Sequence, residues 1–193
     1  MLKLAVRCLV AAIVLTAVLG FAYPGAITGI AQLAFPNGAD GSVIEADGRP
    51  VGSRLAAQAF DRPEYFHPRP SATGYDAAGT SFANLGPTSA ELAARVAERA
   101  SAILALEAPY NPGLAIGDIP VDAVTTSGSG IDPHISPAYA DLQAPRVAAV
   151  RGISEERVRH LVEDATDGRS LGFFGEPGVN VLELNLALDR ETA

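Results

Sequence analysis

Leu4-Ala-Val-Arg-Cys-Leu-Val-Ala-Ala-Ile-Val-Leu-Thr-Ala-Val-Leu-Gly-Phe-Ala-Tyr23 decides the layout of this chain. Crossing the hydrocarbon of a bilayer takes about 20 helical residues, and this stretch supplies that length. From Cys8 to Ala39 no residue is charged, and the apolar character continues through Ile27, Ile30, Leu33 and Phe35. Lys3 and Arg7 lie on the N-terminal side, and the first charge beyond the stretch is Asp40. Cationic flanks stay in the cytoplasm. The N-terminus is therefore expected inside, and everything after the helix outside. A second reading of the same residues is a cleaved export signal: a basic start, Cys8–Phe21 as its apolar segment, and Gly20 and Ala22 as the small residues before the cut. Both readings send the remaining chain outward.

Outward from that helix, the 193-residue chain has room for one domain. The expected division is residues 1–35 for the transmembrane helix and membrane exit, and 36–193 for a single extracytoplasmic α+β domain. Net charge is −8, and Lys3 is the only lysine. Beyond Cys8 there are 12 arginines against 22 acids, a balance of −10. Phosphate-backbone binding depends on clustered Lys and Arg, so nucleic acid is excluded as a partner. The single cysteine, Cys8, leaves the domain without an internal disulfide. No Gly-x-x-x-x-Gly-Lys-Ser/Thr loop is present to cradle phosphates, so an independent ATP site is not expected.

Along the domain, Val43–Val51 reads as a hairpin turning at Asp47-Gly48. Residues 61–87, with Pro63, Pro68, Pro70 and Pro87, read as an ordered but irregular loop. Thr88-Ser-Ala-Glu91 fits a capping box. It opens a helix whose face is Leu92, Val96, Ala100, Ile103 and Leu104, and Pro109 and Pro112-Gly113 end it. Ile119–Thr126 reads as a strand leading into the loop 127–135. Ser136-Pro137 begins a second helix, which Pro145 is expected to kink or interrupt. Ser154-Glu-Glu opens a third helix. In Val181–Leu188 the leucines at 182, 184, 186 and 188 alternate with other residues, which predicts a half-buried strand.

The candidate functional residues are Ser127, Gly128, Ser129, Gly130, Asp132, Pro133 and His134 in the loop, with Arg69 and Asn84 outside it. Ser129, Asp132 and His134 invite a hydrolase reading. A triad, however, needs a base in reach of the nucleophile and a third group behind it, which a single short loop rarely arranges. No catalytic residue is assigned. His67, His134 and His160 have none of the spacings of zinc ligands, so no metal is assigned either. The loop therefore stands between two readings: a scaffold, with Gly128 and Gly130 permitting unusual backbone angles and Asp132-Pro133 setting a turn, or a contact surface for a partner.

Several runs together resemble one family. They are Tyr23-Pro24, Ala39-Asp-Gly-Ser42, Gly52-Ser53 with Gln58-Ala-Phe60, Tyr65-Phe-His-Pro-Arg-Pro-Ser-Ala72, Asn84-Leu-Gly-Pro87, Pro120-Val-Asp122, Thr126-Ser-Gly-Ser-Gly-Ile-Asp-Pro-His-Ile-Ser136, Pro145-Arg-Val-Ala148 and Val179-Asn-Val-Leu-Glu-Leu-Asn-Leu-Ala-Leu-Asp189. Their order and spacing resemble the C subunit of the Kdp high-affinity potassium-transporting P-type ATPases, the KdpC family. That resemblance implies an uncleaved anchor in the cell (inner) membrane. It also implies a non-catalytic accessory subunit working beside a channel-like potassium-binding subunit, a P-type ATP-hydrolysing subunit and a further small single-span subunit. It implies a stabilising role, and a catalytic-chaperone role that raises the affinity of the pump for ATP. ATP is then met through the pump complex rather than bound independently. The rival reading is an exported soluble binding or hydrolytic domain released by signal peptidase.

Overall fold

The computed structural model describes residues 1–191, which divide into two compact units, Met1–Val51 and a second that begins at Gly52. In the first unit a single apolar helix, α1, runs over Leu2–Ala34. At about 1.5 Å per residue its 33 residues reach about 50 Å, longer than the roughly 30 Å of hydrocarbon to be crossed. One wide turn interrupts the α pattern at Val18–Ala22, where the Tyr23 N–H donates five residues back to the Val18 carbonyl. Pro24 explains it. A proline lacks the N–H that would bond the carbonyl four residues earlier, and its ring crowds that carbonyl. After α1, strands β1 (Val43–Ala46) and β2 (Arg49–Ser53) form the expected hairpin. Asp47 and Gly48 both take positive φ, 52° and 71°, as a tight two-residue turn requires.

The second unit is α+β. Helix α2 (Ala90–Glu107) begins one residue later than expected: Ser89, not Thr88, caps it by accepting from the Leu92 N–H, and Glu91 pairs instead with Arg95 at 2.6 Å. Strand β3 (His134–Ile135) leads into α3 (Pro137–Arg151), then α4 (Glu155–Asp164), β4 (Thr166–Asp167), β5 (Gly178–Asn180) and α5 (Val181–Glu191). The three short strands form an antiparallel sheet in the order β3-β5-β4, pairing His134 with Asn180 and Thr166 with Val179. Phe66, Ile135, Val147, Val158, Val179, Leu184 and Leu188 are fully buried and form the core between helices and sheet.

Two expected strands are not strands. Ile119–Thr126 contains a one-turn helix, Val121–Val124, entered through Pro120 and closed by the Thr125 hydroxyl donating to the Val121 carbonyl. Val181–Leu188 lies within helix α5. Its alternating leucines conceal a helical set, Val181, Leu184, Asn185 and Leu188, all buried. Asn180 supplies the start signal, its Oδ1 accepting from the Glu183 N–H at 3.1 Å. Nor does Pro145 interrupt α3, which is continuous from Pro137 to Arg151. The proline removes one backbone bond, but buried Leu142, Ala144, Val147 and Ala148 hold that stretch to the core. Gly152, at φ 69°, ends the helix.

Candidate functional site

Most of the loop 127–135 is consumed in holding itself. The buried Ser127 hydroxyl accepts from the Gly130 N–H at 3.0 Å, and the Ser127 N–H donates to the Pro70 carbonyl. Ser71 Oγ donates to the Gly130 carbonyl at 2.6 Å. Gly130 sits at φ 75°, and a Cβ there would lie 2.9 Å from both the Ser81 carbonyl and Thr73 Oγ1. Only glycine fits that conformation and that gap. Gly128 is different, with open space where a Cβ would go. Pro133 contributes its carbonyl to the Val181 N–H, which ties the loop to the start of α5.

Ser129, Asp132 and His134 do not form a triad. Ser129 is exposed, and its hydroxyl accepts from the Ile131 N–H. His134 Nε2 lies 3.0 Å from Asp167 Oδ2, and Nδ1 lies 3.8 Å from Asp132 Oδ1. Both ring nitrogens thus face carboxylates rather than a nucleophile. The loop joins a chain of charged groups instead: Arg69 to Asp132 at 3.0 Å, His134 to Asp167, Asp167 to Arg54 at 2.7 Å, and Arg54 to Glu183 at 2.9 Å. Burial pushes the Asp167 carboxyl upward, but the hydrogen bonds and charges of His134 and Arg54 outweigh it and hold the group below its ordinary value. Arg54 is raised in turn, chiefly by its bond to Glu183. These pairs are partly exposed, and solvent-screened bridges contribute about 0–1 kcal/mol each.

The chain of charges borders an open groove of about 570 Å³, lined by Arg69, Asp122, Asp132, His134, Asp167 and Glu176 among others. Asp122 is engaged there as the support of α3, accepting from both the Ser136 N–H and the Ser136 hydroxyl. Asn84 stands outside the groove lining, exposed and with φ 52°. Arg69, by contrast, is brought directly onto the loop. Among the described residues, no three His, Cys, Asp or Glu side chains gather into a metal-holding group. His160 is exposed and faces Asp164.

The residues that do most to build this unit were not singled out in the sequence. Arg146 is fully buried and bonds Glu107 Oε1 at 2.8 Å, Gln143 Oε1 at 2.9 Å, the Tyr65 carbonyl at 3.0 Å and the Pro63 carbonyl. Gln143 accepts from the His67 N–H and donates to the His67 carbonyl, and Asn185 does the same for Phe66. Each side-chain amide therefore pairs with one residue of the irregular segment as a neighbouring strand would. Arg151 adds a bond to the Glu64 carbonyl and another to Asp189. This explains how a proline-rich stretch without regular structure stays ordered: its backbone polar groups are satisfied by side chains from α3 and α5. Burial raises the Glu107 carboxyl against the opposing pull of Arg146, and burial together with Arg146 lowers His67. The available signal was polar residues, Gln143 and Arg146, recurring three apart on the core face of an otherwise apolar helix.

Comparison with known proteins extends over the same residues. The family model described as "K+-transporting ATPase, c chain" matches residues 5–190. A potassium-transporting ATPase KdpC subunit from Caulobacter vibrioides is 55% identical over 177 residues, covering 90% of this chain and 86% of its own. The KdpC subunit of Mycobacterium tuberculosis is 53% identical over 180 residues, covering 92% and 93%. That of Koribacter versatilis is 51% identical over 179 residues, covering 92% and 89%. The match takes in both α1 and the folded unit, and this chain belongs to the KdpC family, the c chains of K+-transporting ATPases.

Proposed function

We propose that this chain is a membrane-anchored, non-catalytic accessory subunit of an ATP-driven potassium uptake pump. The observation that carries the reading is α1, 33 residues of apolar helix with none of them buried, joined in one family match to the folded unit. A fully exposed apolar helix of that length is stable only in lipid or against other membrane helices. Lys3 and Arg7 favour a cytoplasmic N-terminus and a folded unit on the outer face. In this role the chain holds together a channel-like potassium-binding subunit and a P-type ATP-hydrolysing subunit, with a further small single-span subunit beside them.

The chain also raises the affinity of the pump for ATP, without binding nucleotide itself. With the folded unit on the outer face, the membrane lies between it and cytoplasmic ATP, which favours coupling through the complex over direct contact. A subunit that binds one pump state better than another still shifts the population of that state, and by linkage the nucleotide affinity. Two measurements test this. Tagged full-length chain, solubilised in mild detergent from potassium-starved cells, should bring down the ATP-hydrolysing and channel-like subunits with residues 1–22 still attached. Pump lacking the chain should show a higher KM for ATP. Recovery of the chain alone, beginning near Tyr23, would overturn the proposal in favour of an exported soluble domain.

A further inference from the structure

Strands β3, β5 and β4 bring three residues onto one face of their sheet. His134 pairs with Asn180 and Asp167 with Gly178. Paired residues share a face, as do residues two apart on a strand. The His134 ring therefore lies diagonally over Gly178 of the middle strand. A Cβ at Gly178 would sit 3.1 Å from His134 Cβ and 3.4 Å from Cγ and Cδ2, so the missing side chain is what leaves the ring its path. Across that gap Nε2 reaches Asp167 Oδ2 at 3.0 Å, joining two outer strands that are not neighbours in the sheet. Asp167 ends β4, and residues 168–177 hang from it. That segment is closed on itself by the paired backbone bonds of Ser170 with Phe174 and by Arg169 with Glu176.

Charges alternate along this face in the order Arg69, Asp132, His134, Asp167, Arg54 and Glu183, and the imidazole occupies the place of a cation. With the ring neutral, two cations stand against three carboxylates; one proton makes the two signs equal. A neutral ring has one N–H and one lone pair. With the N–H on Asp167, the lone pair of Nδ1 faces the Asp132 carboxylate at 3.8 Å. That distance is too long for a hydrogen bond but short enough for charge attraction once Nδ1 carries a proton. The other charges on the groove do not take the place of that proton: Asp122 is bound to Ser136, and Glu176 to Arg169. The ring is 35% exposed, so a proton reaches it from water, and imidazole changes charge between about pH 5 and about pH 8. We propose that His134 is a proton-operated latch across the sheet, gripping Asp167 and the segment it carries when protonated and slackening when neutral. The latch rests on the folded unit alone; with that unit on the outer face, as proposed above, it meets the pH outside the cell.

Hydrogen–deuterium exchange of the full-length chain in mild detergent tests the latch. Residues 168–177 are read against residues 90–107 of α2 at about pH 5.5 and about pH 7.5, with intrinsic exchange rates divided out. Protection of 168–177 should fall about threefold from the lower pH to the higher, the size expected of one partly exposed charged contact. His134→Gln keeps His67 and His160, and should show the same protection at both pH values. Protection in the unmodified chain that does not change with pH overturns the latch, as does a pH response that His134→Gln retains. Should His134→Gln not fold, Asp167→Asn, which removes the carboxylate at nearly constant size, decides in its place, and a retained response again overturns the latch. The accessory-subunit reading stands or falls separately, on recovery of the other pump chains.

Discussion

Replacing Arg146 with methionine should unseat the irregular segment 61–70 from the helices that hold it. Arg146 is 0% exposed and its partner Glu107 1%, so the variant leaves a carboxylate buried without its counter-charge. Removing one member of a buried pair costs about 3–5 kcal/mol. The carbonyls of Pro63 and Tyr65 also lose a charged donor, but both residues reach solvent in part, so that loss is smaller, about 1 kcal/mol together. A fall of about 5 kcal/mol in all lowers the melting temperature by about 10–20 °C in a domain of this size, measurable by circular dichroism of the full chain in detergent. The pH dependence identifies the cause. Burial already raises the Glu107 carboxyl against the pull of Arg146, and without the arginine it rises further. A carboxyl raised in the folded state stabilises the fold below its unfolded value, and that contribution is lost as pH rises through the folded one. The deficit of the variant should therefore shrink as pH is lowered from neutrality. Adding Glu107→Gln should restore most of it, leaving about 1 kcal/mol for the lost carbonyl bonds. A deficit below about 1 kcal/mol, one that does not change with pH, or one that the second substitution leaves intact would refute the reasoning.

Other substitutions test the remaining contacts by the same melting measurement. Asn185→Leu strips both hydrogen bonds from the buried backbone of Phe66 and should cost about 2–4 kcal/mol; a loss under about 1 kcal/mol would show that water replaces them. Gly130→Ala meets the Ser81 carbonyl at a positive φ and should cost about 1–3 kcal/mol, whereas Gly128→Ala, which meets nothing within 4 Å, should stay within about 0.5 kcal/mol. Equal effects would contradict the assignment of Gly130 as the tight position. His67 is lowered by burial and by Arg146, so the unfolded chain binds a proton that the folded chain refuses, and stability should fall as pH drops below about 6.5. His67→Gln should flatten that slope, and an unaltered slope would assign it to other groups.

Local rules made much of this protein legible. The uncharged run after Arg7 defines α1 because membrane insertion reads hydropathy residue by residue. Asp47-Gly48 defines a hairpin turn, and Ser136-Pro137 and Ser154-Glu-Glu define helix starts, because capping and turn chemistry act over three or four residues. The family, too, was readable from ordered short runs. Where the sequence reading failed, two local patterns competed. The leucines at 182, 184, 186 and 188 satisfy period two, while Val181, Leu184, Asn185 and Leu188 satisfy the helical period, and the choice lies with the surface they pack against. Pro120 likewise begins a single helical turn in place of a strand.

What the sequence by itself determined is the set of features fixed by neighbouring residues: one apolar helix, the polarity of its flanks, the acidic balance and most helix boundaries. What only the tertiary structure decided is where the polar side chains go. Gln143, Arg146 and Asn185 look like ordinary surface residues in the chain, yet each is buried against the backbone of Tyr65, Phe66 or His67. Ser129, Asp132 and His134 are neighbours in sequence, but Ser129 is turned to its own loop backbone while Asp132 and His134 reach out to Arg69 and Asp167. The reason is physical. A buried hydrogen bond forms only where folding places donor and acceptor together, and here those groups lie up to 119 residues apart in the chain, beyond the reach of any local pattern.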